Sequence, residues 1–141
     1  KQFAIYTFRM GDTEAMTKLK GWEERLTLYI AHNMRHVSNC GVFANGCVKA
    51  ITGENHMAGF PEFDTIAEGM RHLKDMGYSS HVDFVADKLT EIPVHEAMPG
   101  DLVVVEERSL GIMQGLVIYA CSERNHINIV SASEAQRAFR T

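Results

Sequence analysis

The sequence predicts an α+β domain, and three observations carry that prediction. Up to Leu89, apolar residues recur at helical spacing. After Pro99-Gly100 the pattern changes to short β-branched runs parted by turn residues. Neither an internal repeat nor a low-complexity linker separates the two regions, so helices and strands belong to one domain: helices first, an antiparallel meander after.

Taken in order, residues 2–8 alternate and are rich in aromatic and β-branched types, which predicts a short strand or extended arm ended by Gly11. Residues 1–20 are therefore read as an arm and 21–141 as the domain. Gly21 opens a helix whose Trp22, Leu26, Tyr29, Ile30 and Asn33 share one face, ending between Asn33 and His36. Asn39 is the expected N-cap of a second helix beginning at Cys40, on which Phe43, Cys47 and Ile51 fall on the face of Cys40. Thr52-Gly53 is a glycine stop. A loop to Pro61 precedes a third helix from Glu62, carrying Phe63, Ile66, Ala67, Met70 and Leu73 inward to Gly77. A shorter helix from Ser80 to about Lys88 turns Val82, Val85 and Leu89 to the core. Strands are then expected at 102–106, 110–114, 117–121 and 127–130, with turns at Arg108-Ser109 and Glu123-Arg124-Asn125. Ser131-Ala132-Ser133-Glu134 has the form of a capping box, predicting a last short helix that carries Ala138 and Phe139.

With 141 residues, 45% of them apolar and 23% charged, the chain suits one soluble domain with a real core. The net charge of −4 leaves no basic footprint and argues against a nucleic-acid partner. No run reaches the ~18 apolar residues of a membrane span, and no signal-peptide pattern opens the sequence, so a reducing, cytosolic site of synthesis is expected. The three cysteines match neither a disulfide framework nor a zinc pattern. Asp83 and Asp87 could share a helix face but make no metal site, and no glycine-rich phosphate loop is present, so no cofactor or metal is expected. Glu106-Glu107 reads as a solvated hairpin tip, and the eight methionines as adaptable core filler.

The stretch with chemical potential is Ser38-Asn39-Cys40-Gly41-Val42-Phe43. A thiol on the first turn of a helix meets the positive end of the macrodipole, which favours the thiolate and makes the sulfur nucleophilic. Cys47 and Cys121 are expected to fill space. A nucleophilic cysteine needs a base, and there are seven histidines. His36, four residues before Cys40, could fold back onto the thiol, whereas His32, His72 and His81 read as exposed helix or loop positions and His56 and His95 as ordinary loop residues.

Asn39-Cys40-Gly41-Val42-Phe43 resembles the Asp-Cys-Ser-Gly-Phe signature of the NlpC-type cysteine peptidases, and Pro99-Gly100-Asp101-Leu102-Val103 resembles the segment opening their first core strand. Leu110-Gly111-Ile112 lies where those enzymes carry His-Val-Gly-Ile. Thr52-Gly53 and Arg137-Ala138-Phe139-Arg140 complete an order similar to that of an uncharacterised, mostly phage-encoded branch of the superfamily. The resemblance implies a papain-like fold, with the cysteine on a central helix packed on a C-terminal antiparallel meander. It also implies a histidine at the place of Leu110, and leucine takes no proton. By topology His126, at the head of the last strand of the meander and near the family's orienting residue, is the best-placed substitute, with His36 as the other candidate.

Two functions follow as expectations. The favoured one is a virion-associated adaptor of a bacteriophage tail, connector or ejected assembly, made in the host cytoplasm, its fold kept and its catalytic pair lost. Its apolar arm (Phe3, Ile5, Tyr6, Phe8) would add to a neighbouring structural protein's sheet edge. The alternative is an active thiol amidase or peptidase cutting peptidoglycan peptides through Cys40.

Overall fold

The computed structural model describes residues 18–34, 39–121 and 126–141; the expected N-terminal arm, most of residues 1–20, and His36 lie outside them. The architecture is α+β. Among the described residues four helices come first: α1 (Trp22–Asn33), α2 (Cys40–Thr52), α3 (Ile66–Asp75) and α4 (His81–Lys88). Six strands follow: β1 (Thr90–Ile92), β2 (Leu102–Val105), β3 (Ser109–Met113), β4 (Val117–Cys121), β5 (Ile127–Ser131) and β6 (Arg137–Arg140).

Local chemistry sets the ends of α2 as the sequence predicts. Asn39 is extended, and its side-chain oxygen accepts the Val42 N–H at 2.9 Å, satisfying one of the free amides of the first turn of α2. Gly53 closes the helix with φ 82° and donates to the Lys49 carbonyl, a left-handed cap that a Cβ would strain. Thr65 and Ser80 cap α3 and α4 in the same way as Asn39. The third helix starts at Ile66 rather than Glu62, because Thr65 provides the cap, and Phe63 stands in the loop before it.

The sheet runs β1-β6-β2-β3-β4-β5, every neighbouring pair antiparallel. From β2 to β5 it is the expected meander. The C-terminal segment differs: the expected last helix is a single 3-10 turn, Ala132–Glu134, followed by β6, which crosses back to lie between β1 and β2. Ser131 caps only that turn, through the Ser133 N–H. Beyond it Ala138 and Phe139, both fully buried, point to opposite faces, so the burial has the period of a strand. The open edge of β2 supplies the pairing, with Val103 opposite Ala138 and the Gln136 N–H on the Val104 carbonyl at 2.8 Å.

Both faces of the sheet are covered. One packs Leu102, Val104, Leu110, Ile112 and Phe139 against Leu26 and Ile30 of α1, Phe43, Cys47 and Ile51 of α2, and Val82 and Val85 of α4. On the other, Ile92, Val103, Val105, Met113, Ile118 and Ala138 form a smaller cluster. Helix α3 gives side chains to neither. Asp101 ties the head of β2 to both described ends of the chain. Fully buried, it accepts from Lys18 Nζ at 2.9 Å, Arg140 Nε at 3.1 Å and the Met98 and Thr141 amides at 2.9 and 3.2 Å.

Candidate active site

The first residue of α2, Cys40, and the first residue of α4, His81, meet across the helical face of the sheet. His81 Nε2 lies 3.8 Å from Cys40 Sγ and 2.5 Å from the carbonyl oxygen of Arg108, in the turn between β2 and β3. A carbonyl oxygen can only accept, so Nε2 carries a proton in this arrangement and presents it to both the carbonyl and the sulfur. The sulfur thus faces an N–H donor, the partner a thiolate needs.

The two groups shift each other in the directions an ion pair requires. Burial pushes the Cys40 thiol up, but the hydrogen bond and charge of His81, with the backbone amides of Leu110 and of Cys40 itself, outweigh it and hold the thiol below its ordinary value. His81 is raised, first by its bond to Cys40, against the opposing effect of burial, and further by the Arg108 carbonyl. The other thiols go the opposite way. Burial pushes Cys47 well up, and burial together with the Cys40 charge pushes Cys121 up to about 11.

The turn that offers the Arg108 carbonyl is strained. Glu106 and Glu107 both have left-handed backbones, φ 50° and 71°, a conformation disfavoured outside glycine. The Glu107 N–H is anchored on Gln136 Oε1 at 2.7 Å. A cleft of about 1110 Å³ opens over the pair. Cys40, Gly41, His81, Arg108 and Leu110 line it, and Met57, Phe60, Phe63 and Met70 belong to the same lining.

Of the sequence-derived candidates, Cys40 heads its helix as expected. His36 lies outside the described residues, and His126 is exposed just ahead of β5. The histidine on the sulfur is instead His81, read from the sequence as an exposed position and half-buried in the fold. Its one local signal is the Ser80-x-x-Asp83 cap, which puts it on the first turn of a helix as Asn39 puts Cys40. Leu110, where the resemblance expects the base, does adjoin Cys40, but by its backbone N–H; its side chain is buried in the core. Among the described residues, no group of three or more His, Cys, Asp and Glu side chains could hold a metal ion, and no helix is long and apolar enough to cross a membrane.

Residues 17–141 match a family model described as "Domain of unknown function (DUF6950)". The chain belongs to the DUF6950 family. Comparison with curated proteins and with solved structures gives no match. The matched span takes in every described element, so the Cys40–His81 pair lies wholly within the family domain.

Proposed function

We propose that this DUF6950 domain is a thiol-dependent acyl hydrolase of the amidase or peptidase type, with Cys40 as nucleophile and His81 as general acid and base. The observation that carries the reading is the 3.8 Å approach of His81 Nε2 to Cys40 Sγ at the mouth of a cleft. That distance is within the looser range of a catalytic pair before substrate tightens it.

The chemistry runs in two halves. The Cys40 thiolate attacks the carbonyl carbon, forming a C–S bond and moving an electron pair onto the oxygen. As that oxyanion collapses, the C–N bond breaks and His81 Nε2 gives its proton to the departing amine, leaving a thioester on Cys40. Water then attacks the thioester, His81 takes a proton from it, the C–S bond breaks, and a carboxylic acid leaves with the thiolate restored. Val42 and Phe43 N–H groups are engaged by Asn39, and the Cys40 N–H faces its own sulfur. The Gly41 N–H, at the cleft wall, is the donor proposed for the oxyanion.

A papain-like fold of the NlpC type is part of this reading, supported by a cysteine at the head of a helix packed on an antiparallel sheet. The adaptor alternative drew on Leu110 in place of a base and on the apolar arm; the approach of His81 to the sulfur supports the hydrolase over it. Peptidoglycan peptides as substrate and a place in a phage particle rest on the resemblance alone.

The test is acyl-enzyme trapping. Incubated with a p-nitrophenyl ester and quenched in acid, the protein should carry one acyl group, mapped by mass spectrometry to Cys40. The adduct should be absent in Cys40→Ala and form at least ~100-fold more slowly in His81→Ala. No adduct on Cys40, together with alkylation that follows an ordinary thiol's pH dependence, would overturn the reading.

A further inference from the structure

The aromatic side chains along the cleft belong to neither face of the core. Phe60, Phe63, Met57 and Met70 are half-buried and absent from both buried clusters, and Ile66 beside them is 70% exposed. They do not lie loose. Phe60 meets Phe63 at 5.8 Å and Phe84 at 6.1 Å between ring centroids, both edge to face, and His72 at 5.9 Å. Each ring is held by its neighbours, so the apolar wall is already formed before anything binds, as small-molecule sites usually are. Apolar surface kept out of the core, yet ordered and continuous with a nucleophile, is surface held for a ligand.

Two of the cations around the cleft are held by partners. Arg137 is clamped by Glu91 through two bonds of 2.9 and 2.8 Å. Lys88 sits over the Phe84 ring with Asp87 at 3.9 Å. The leaving amine must reach His81, which lies against the polar Glu106–Arg108 turn. The acyl half of the substrate is the part left to the apolar wall. At about 1110 Å³ the cleft slightly exceeds the range of roughly 300–1,000 Å³ common for small-molecule sites, leaving room for both halves.

We propose that Met57, Phe60, Phe63 and Met70 form the acyl-side subsite of this centre, and that it takes a bulky apolar acyl group, an aliphatic chain or an aromatic aminoacyl residue. The proposal deepens the hydrolase reading and rests on it for the reaction, though not for binding.

Two measurements test it separately from that reading. In the first, kcat/KM is measured for acetyl, butyryl, hexanoyl, octanoyl and N-acetylphenylalanyl p-nitrophenyl esters. The value should rise about fourfold per methylene until the wall is covered. Phe60→Ala should lower the ratio of octanoyl-ester to acetyl-ester kcat/KM by about tenfold or more. Phe60→Leu, which keeps most of the volume, guards against a merely misfolded variant and should lie between. In the second, Cys40→Ala protein is titrated calorimetrically with N-octanoylglycinamide and N-acetylglycinamide; only the octanoyl compound should bind, and adding Phe60→Ala should abolish that binding. Hydrolysis with no dependence on acyl size overturns the subsite and leaves the hydrolase standing. Octanoyl binding without hydrolysis of any ester supports the subsite and overturns the hydrolase. Absence of both octanoyl binding and a rate trend overturns the subsite. A faster octanoyl or a faster phenylalanyl ester supports it and tells the two acyl classes apart.

Discussion

Cys40 and His81 are each the first residue of a helix, and that shared position acts on them in opposite ways. The positive helix end favours a thiolate on Cys40 and disfavours an imidazolium on His81. The bond to Cys40 first, and then the Arg108 carbonyl 2.5 Å from Nε2, act against the second effect, so His81 is raised even at a helix head. The signs give a pH profile. Cys40 is lowered, so its thiolate persists as pH falls until its depressed value is crossed; His81 is raised, so its proton persists as pH rises until its elevated value is crossed. Iodoacetamide alkylation of Cys40 should therefore have a midpoint below that of a free thiol. In His81→Ala the main lowering influence is gone and burial is left acting, so the midpoint should move upward; an unmoved midpoint would remove His81 from the pair. Asp101 is the residue-scale counterpart in stability. Replacing it with Ala removes the carboxylate that accepts from Lys18, from Arg140 Nε and from two amides, and should cost about 3 kcal/mol in urea unfolding.

At the scale of elements, the site depends on how closely α1 and α2 approach and on one strained turn. Gly46 lies against the Tyr29 side chain: a Cβ there would come within 2.0 Å of the hydroxyl, so α1 can pack this closely only because α2 lacks a side chain at that point. Gly46→Ala should destabilise by about 1–3 kcal/mol, and Tyr29→Ala in the same chain should relieve part of that cost, a coupling that a double-mutant cycle in denaturant would read. The three-residue turn between β2 and β3 holds Glu106 and Glu107 in left-handed backbone, where glycine is the strain-free residue. Glu107→Gly should raise stability by about 1 kcal/mol, since glycine adopts the left-handed backbone without strain. A loss of stability would show that the Glu107 side chain does more than occupy the turn.

For the whole molecule, β6 is the element on which closure depends. It lies between β1 and β2 and carries Phe139, fully buried among the helices. Phe139→Ala should cost about 3–5 kcal/mol, measured as a lower urea midpoint at unchanged slope. Much of this plan was legible from local pattern. The Asn39 cap, the Cys40–Phe43–Cys47–Ile51 face, the Gly53 stop and the β2–β5 meander follow from signals within a few residues of one another. The last segment was misread because Ser131-Ala132-Ser133-Glu134 has the form of a capping box, and a cap signals only that a turn can begin. Whether it propagates depends on what the next residues pair with, and the free edge of β2 outcompeted a helix.

A helix N-terminus is a local event, so the sequence alone was enough to place a cysteine there with its amides capped. Membership of the site was a different kind of fact. Nothing within reach along the chain links Cys40 to His81, forty-one residues on, or to the Arg108 carbonyl beyond it. Those three atoms meet because α2 and α4 pack on the same face of the sheet and the β2–β3 turn rises beside them. Sequence periodicity reports which face of an element is buried, not which elements become neighbours. The thiol could therefore be found by reading, while the histidine beside it waited for the fold.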